Sequence, residues 1–225
     1  MTKRRLHVGG KERVEGWEIL NAVSAPEVDH IGDARDLSQF SDATFSDIYA
    51  SHVVEHFDYK DELAQALREW HRVLIPGGRV LISVPDIEVL SRLIVDRSHP
   101  LEERFLLMQM MFGGHVDAYD HHRVGLNDEF LAWFLGAAGF VGMRRVDHFG
   151  VFNDTSTLRF KDVPISINML AEKPKPGWPA FGSPQVLAAD ELLCICGGGA
   201  YQNCHGHQRS STPGVSGNTL ASVSI

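Results

Sequence analysis

Cysteine, basic residues and long apolar runs are scarce in most of this 225-residue chain, and each shortage narrows its possible functions. All three cysteines lie after residue 173, so the preceding residues need no disulfide and suit a reducing compartment. No apolar run approaches the ~18 residues that span a bilayer, and no apolar secretory segment follows the basic start. We therefore expect a cytoplasmic protein without a membrane partner.

Acidic residues outnumber basic ones, 29 to 21, which gives a formal net charge of −8. Such a surface repels phosphate backbones, so the composition argues against a nucleic-acid partner. The hydrophobic content of 44% is enough for one sizeable core. We expect one folded domain over residues 1–173, followed by a Gly/Pro/Ser-rich tail, 174–225, that is mostly disordered.

Short β-rich runs alternate with helical periods along the first 173 residues. The predicted strands are Leu6–Val8, Trp17–Val23, Val28–Ile31, Ser46–Ser51, Arg79–Val84, 141–149 and 163–171. The predicted helices are Asp61–Leu74, one capped by Asp86, one opened by Pro100 and one beginning at Asn127. This alternation predicts a doubly wound α/β fold, a mostly parallel sheet whose last two strands form an antiparallel edge pair.

The first crossover of this fold is predicted to be unusually short. Only about eight residues join Gly9 to Trp17, too few for the usual helix between parallel strands. One face of the sheet would then be poorly covered, and we expect Trp17 to supply covering area there. Ligands of such sheets bind beyond the carboxyl ends of the strands, so the candidate site residues are sought in those loops.

Four segments, in this order, resemble a class I S-adenosylmethionine (SAM)-dependent methyltransferase of the small bacterial type, with a degenerate glycine motif. They are LHVGGKERVEGWEILN (6–21), VDHIGDARDL (28–37), DIYASHVVEHF (47–57) and HRVLIPGGRVLISVPD (71–86). The resemblance implies the Rossmann-like methyltransferase fold, SAM as cofactor, and methyl transfer to an oxygen, nitrogen or carbon atom of a small or medium metabolite. It also implies that residues of about 95–126 form an insertion that caps the substrate.

The cofactor contacts that the resemblance implies are Gly9, Gly10, Lys11, Asn21, Asp33, Ala34, Ser51 and His52. Lys11 stands where the family has a second motif glycine, so it either faces the methionine carboxylate or blocks the pocket. Asn21 replaces the acidic residue that usually accepts the ribose hydroxyls, and a neutral amide accepts more weakly. Asp33 matches the carboxylate that accepts the adenine amino group.

The Glu-His pair at 55–56 follows the fourth predicted strand, where donor and acceptor should meet. His52, Glu55 and His56 have i, i+3, i+4 spacing, so a helical turn would place them on one face. They could serve as a general base, line the cofactor, or open the next helix; a metal site is also conceivable, but we assign no metal ligand. Our candidates for catalysis are His56 and Glu55, with His121 of the insertion.

The insertion segment MMFGGHVDAYDHHRVG (110–125) concentrates histidines within a glycine-hinged loop. The expected substrate contacts are His115, Tyr119, His122 and Arg123. A solvated loop with incidental histidines is the alternative. A second polar loop, residues 153–156, could reach the same cleft, although a simple turn is the plainer interpretation.

Three other hypotheses remain beside the leading one. The unusual Lys11 and Asn21 would also fit a non-catalytic binding or scaffolding module. A nicotinamide-dependent oxidoreductase fits poorly, because the glycine fingerprint and the pyrophosphate-binding helix are missing. In the tail, a zinc cluster is conceivable but its spacing is unusual: Cys194, Cys196, Cys204, His205 and His207. The sequence does not indicate an oligomeric state.

Overall fold

The computed structural model of this chain describes residues 3–177. The predictions for the tail therefore lie almost wholly outside the described residues, and the domain boundary near residue 173 stays a prediction. Over residues 3–177, no helix is both long and apolar enough to cross a membrane.

Nine strands and four α-helices make up the described chain. The strands are β1 Arg4–Val8, β2 Glu18–Asn21, β3 His30–Ile31, β4 Phe45–Ser51, β5 Leu74–Pro85, β6 Val141–Val146, β7 Arg159–Phe160, β8 Val163–Pro164 and β9 Ser166–Glu172. The helices are α1 Glu62–Val73, α2 Ile87–Val95, α3 Leu101–Phe112 and α4 Asp128–Ala137. The alternation of strands and helices expected from the sequence is confirmed from β4 onward.

Seven strands form one sheet in the order β3-β2-β1-β4-β5-β9-β6. Strands β1 to β5 run parallel, whereas β9 runs antiparallel to both β5 and β6. This arrangement confirms the predicted doubly wound α/β fold with an antiparallel pair at its C-terminal edge. β7 and β8 form a separate small hairpin, so the single late strand predicted over 163–171 is in fact two elements.

One face of the sheet, here called the helix-covered face, is apolar. Leu6, Ile48, Val80 and Ile82 are fully buried and lie in register on neighbouring strands. Helix α1 buries one stripe of its surface, namely Leu63, Ala66, Leu67, Trp70 and Val73. The 3.6-residue spacing of that stripe is the reason the helix could be predicted from the sequence.

The opposite face, here called the loop-covered face, has a different cover. Residues 9–17 join β1 to β2 through turns, which confirms the shortened first crossover. Trp17 is 8% exposed and packs with Tyr49, Leu81, Phe152 and Leu170. Trp17 thus supplies covering area as predicted, and Phe152, from the loop after β6, adds a second aromatic ring.

Candidate functional site

The carboxyl ends of β1 to β4 lie side by side at one edge of the sheet, because these four strands are parallel neighbours. Two backbone hydrogen bonds connect the loops that follow them. Gly9 N donates to Leu20 O at 2.8 Å, and Gly32 N donates to Asn21 O at 3.1 Å. This edge carries all eight residues predicted to contact a cofactor.

The turn after β1 packs tightly against protein side chains. Gly9 has φ +74°, and a Cβ there would lie 2.7 Å from Val53 Cγ2. A Cβ on Gly10 would lie 2.6 Å from His7 Nδ1. Both positions therefore require glycine for packing. Lys11, which follows them, is exposed.

Asn21, at the end of β2, uses its side-chain amide to join two loops. Its Nδ2 donates to Gly10 O at 3.1 Å, and its Oδ1 accepts from Val23 N at 3.0 Å. An aspartate could not donate to the Gly10 carbonyl, which gives a structural reason for the amide at this position. The amide oxygen retains one lone pair for a further donor.

Asp33, in the loop after β3, carries an exposed carboxylate paired with Arg35. The Arg35 guanidinium donates to Asp33 Oδ1 at 2.9 Å, and it holds the pKa of Asp33 below its usual value. Arg35 is itself held by Glu62. The next residue, Ala34, accepts a 2.8 Å hydrogen bond from Trp70 Nε1 at its carbonyl. Asp33 is thus an ionised acceptor on a well-anchored loop.

Ser51 and His52 end β4 beside the loop that precedes β9. Ser51 Oγ lies 3.2 Å from Thr155 Oγ1, and Tyr49 Oη donates to Asp154 Oδ2 at 2.8 Å. The polar loop 153–156 therefore does approach the end of β4. Sequence reasoning did not identify Tyr49 as part of this region, and no local signal could have linked it to a residue 105 positions away.

The turn that follows β4 contains a buried carboxyl group, that of Glu55. Glu55 is 1% exposed, and burial raises its pKa to about 8. Neither carboxyl oxygen has a hydrogen-bond partner within the described part of the chain. His52 Nδ1 approaches Oε1 to 3.4 Å without completing a hydrogen bond. Burial also lowers the pKa of His52 to about 4, so this imidazole is neutral.

His56 and His122 meet next to Glu55, with ring centroids 4.9 Å apart. His56 Nδ1 contacts His121 O, and His122 Nδ1 contacts Met111 O, each at 3.2 Å. Since a carbonyl only accepts, each Nδ1 carries the proton and leaves the lone pair on Nε2. Burial lowers the pKa of both imidazoles, which favours this neutral form.

The predicted helical turn over 52–56 is only partly present. A 3-10 helix covers Val54–His56, whereas His52 has φ +54° and lies before it. The side chain of His52 reaches Glu55 from this strained position rather than from a continuous helix. His52 and Glu55 nevertheless come together, as the spacing suggested.

The insertion brings one of its predicted residues into this group. Arg123 N donates to Glu55 O at 2.8 Å, which places the neighbouring His122 beside Glu55 and His56. The Arg123 side chain points to Glu62, 3.6 Å away. His115 and His121 stack on each other at the exposed end of the loop, and Tyr119 is also exposed. Of the four predicted substrate contacts, His122 is the one whose side chain joins the Glu55 group.

Comparison with known families gives a match in the central part of this chain. Residues 18–82 match the family model described as "Methyltransferase domain". The match spans β2 to β5 and includes Asn21, Asp33, Ser51 and the Glu55-His56 pair. The match agrees with the predicted resemblance to class I SAM-dependent methyltransferases over this segment, which is less than a third of the chain. No curated protein matches the chain in sequence.

Several solved structures are similar at low identity. A SAM-dependent methyltransferase from Archaeoglobus fulgidus is 15% identical, with a TM-score of 0.49, over 76% of this chain and 86% of that one. A Burkholderia thailandensis 1,6-didemethyltoxoflavin-N1-methyltransferase is 17% identical, with a TM-score of 0.45, over 77% and 72%. The CurJ carbon methyltransferase is 14% identical, with a TM-score of 0.46; the alignment covers 77% of this chain but only 50% of CurJ. The fold assignment rests on the strand order observed in this chain.

Proposed function

We propose that this chain is a SAM-dependent methyltransferase that methylates a small or medium metabolite. Two findings support the proposal: residues 18–82 match a methyltransferase family model, and the strand order is that of a doubly wound sheet with an antiparallel edge pair. SAM would occupy the edge formed by the ends of β1 to β4. The acceptor would lie between the end of β4 and the insertion. Attack on the sulfonium methyl group is in line, so the protein contributes mainly by holding donor and acceptor in position.

The observation that carries this proposal is that polar loops converge at the carboxyl ends of four adjacent parallel strands. Asp33 presents an ionised acceptor there, suited to the adenine amino group. The Asn21 oxygen has a spare lone pair for a ribose hydroxyl. Lys11 lies exposed next to the glycine turn, where its ammonium group can meet the methionine carboxylate. These features fit an adenosyl cofactor.

The residues after β4 support an acceptor site. Ser51 and His52, at the end of β4, would border the sulfonium group of SAM. His56 is neutral and half-buried with a free Nε2, the form required of a general base toward a hydroxyl acceptor. Glu55 lies beside it, while the exposed ring of His121 is less well placed.

Isothermal titration with SAM and with its demethylated product tests the proposal. Binding of both is expected, with the dissociation constant at least about tenfold higher for Asp33→Ala, because the loss of a charge-assisted hydrogen bond costs roughly 1.5–3 kcal/mol. Asp162→Ala, an exposed carboxylate away from this edge, is the matched control and should bind normally. Asp33→Asn tests the role of charge, and circular dichroism checks the fold of each variant.

Two results would contradict the proposal. One is no heat of binding at millimolar ligand, and the other is unchanged affinity in both Asp33 variants. The absence of binding would favour the alternative of a non-catalytic module, which the shortened crossover and the use of the Asn21 amide to join two loops also suggest. That alternative further requires a tightly bound protein partner.

A further inference from the structure

Three side chains next to the proposed acceptor site present the ligand atoms of a metal centre. Glu55, His56 and His122 each offer one such atom, and the three atoms lie within 4.8 Å of one another. They come from two distant parts of the chain, the turn after β4 and the insertion. The i, i+3, i+4 pattern included His52 but not His122, so the sequence did not indicate this set.

The Glu55 carboxyl group is buried and lacks a partner that could satisfy it. It is 1% exposed, and neither oxygen accepts a hydrogen bond within residues 3–177. A buried carboxylate without a partner is costly, and such groups are normally paired or bound to a metal. A small cavity adjoins it, lined in part by Met111, His122 and Val124. Glu55 is itself one of the residues that line this cavity.

His52 does not satisfy this carboxyl group, for a reason that lies in the adjacent hydrogen bonds. Ser166 donates its one hydroxyl proton to Thr155 O at 3.1 Å. His52 Nε2, 3.1 Å from the same hydroxyl, must then be the donor in that contact. A neutral His52 consequently cannot donate to an ionised Glu55 from Nδ1, and across 3.4 Å the unprotonated Nδ1 does not complete a hydrogen bond with the protonated carboxyl group either.

The two imidazoles are oriented as metal ligands usually are. Metal-bound histidines typically donate their other ring N–H to a backbone carbonyl, which fixes both the tautomer and the ring direction. His56 Nδ1 makes this bond to His121 O, and His122 Nδ1 makes it to Met111 O. Both Nε2 lone pairs remain available, and each is held in place by the backbone of the insertion.

We propose that Glu55, His56 and His122 bind one divalent transition-metal ion, with zinc as the best match to two imidazoles and one carboxylate. Zinc bonds of about 2.0–2.2 Å separate ligand atoms by roughly 3.3 Å, so the three groups move inward by on the order of 1 Å on binding. Three protein ligands leave the fourth position open. There the ion would hold and polarise an acceptor oxygen as a Lewis acid. That role rests on the proposed methyl transfer, whereas ion binding itself does not.

Cobalt(II) provides a spectroscopic probe for this site. The full chain carrying Cys194→Ser, Cys196→Ser and Cys204→Ser is stripped with a chelator and titrated with Co²⁺ in the absence of SAM. The serines remove competing tail thiolates. We expect one Co²⁺ per chain and visible d–d bands without a thiolate charge-transfer band. Competition with Zn²⁺ should remove these bands, and elemental analysis gives the stoichiometry.

Variants of the ligands test the assignment. Glu55→Gln and His122→Gln should each raise the dissociation constant for Co²⁺ at least about tenfold, since even outer-shell partners contribute that much. Glu102→Gln and His148→Gln, exposed residues of the same types elsewhere, should bind normally. Circular dichroism identifies any variant that fails to fold; His122 is only half-buried, so its substitution is the safer of the two.

The proposal is overturned if the triple-serine chain binds less than one Co²⁺, or if folded His122→Gln and Glu55→Gln bind like the parent. SAM affinity, measured on the metal-free protein, reports separately on the proposed function. A chain that binds SAM but not Co²⁺ would lose the metal site alone. A chain that binds Co²⁺ but not SAM would retain the site and lose the methyltransferase role.

Discussion

The two faces of the sheet are covered by different means, and the difference explains where the buried polar groups are found. On the helix-covered face, apolar side chains such as Ile48 and Ile82 meet apolar helical stripes. On the loop-covered face, Trp17 and Phe152 pack beside buried His7, while Ser83 Oγ and Asn168 Oδ1 lack partners in the described region. A cover built from loops leaves polar groups within the core, next to the proposed site.

The largest effect is expected from Trp17→Ala, which removes a major part of the loop cover. Trp17 is 8% exposed and contacts Tyr49 and Phe152 edge-on. The free energy of unfolding should fall by about 3–5 kcal/mol, as for other buried aromatic truncations. Urea denaturation measures it. Trp133→Ala, on exposed Trp133 of α4, should change stability by only about 0.5 kcal/mol. Similar losses for both tryptophans would mean that the loop cover does not contribute to the core.

The next effect is expected from Gly10→Ala, because the glycine turn packs directly on the His7 ring. The added Cβ would lie 2.6 Å from His7 Nδ1, and that ring is held by Phe152, 4.0 Å away between centroids. We expect a loss of about 2–3 kcal/mol, in the upper part of the range for overpacking, together with weaker SAM binding.

A double-mutant cycle gives this prediction its control. His7→Ala removes the obstructing ring, so Gly10→Ala should cost markedly less in that background. Additive losses in urea denaturation would show that the Gly10 cost has a different origin from contact with His7.

Acid sensitivity provides a third comparison of the two faces. Burial lowers the pKa of His7 from 6.5 to about 4, so the folded state binds its proton less readily than the unfolded state does. The contribution of neutral His7 to the free energy of unfolding is therefore fully present above pH 6.5, and it is lost as the pH falls toward 4. Between pH 7.5 and 5 the His7 contribution falls by about 2 kcal/mol.

His7→Phe keeps an aromatic ring against Tyr49 and Phe152 but cannot be protonated. Urea denaturation at both pH values should show a smaller acid loss in this variant than in the parent, by about 2 kcal/mol. An equal loss in the two proteins would exclude His7 as a source of the acid sensitivity.

The sequence predicted the helix-covered face better than the loop-covered face, and the reason is the range of the interactions. The stripe of α1 and the Asp86 cap, which accepts from Glu88 N and Val89 N, are local patterns. The strand ends that carry Asn21 and Asp33 were likewise predictable.

The contact of Tyr49 with Phe152 joins residues more than one hundred positions apart and has no local signal. Strand β5 also begins earlier than predicted, at Leu74, so that the Pro-Gly-Gly turn lies within it.

In the candidate site, too, the local pattern could be predicted from the sequence and the long-range contact could not. The Glu55-His56 pair was identified from its position after a strand, but its approach to His122 depends on the Arg123 N to Glu55 O hydrogen bond. That bond fixes the path of the insertion, and nothing in the insertion's own sequence specifies it. The roles predicted for His115, Tyr119 and His121 stay predictions, because all three side chains are exposed. His121 contacts the Glu55 group through its backbone carbonyl, which accepts from His56 Nδ1, and not through its ring.

The smallest effect is expected on the helix-covered face, where a glycine can be replaced with benefit. Gly136 lies inside α4, and a Cβ there would meet only Met143 Cε, at an ordinary 3.6 Å. Gly136→Ala should raise the free energy of unfolding by roughly 0.5–1 kcal/mol, because alanine loses less backbone entropy in a helix. Gly139→Ala, just after α4 at φ +95°, should instead lower it by roughly 1 kcal/mol. Urea denaturation of the two variants measures this difference between the interior of α4 and the turn after it. Destabilisation by Gly136→Ala would show that α4 packs more tightly around this position than the 3.6 Å distance to Met143 Cε indicates.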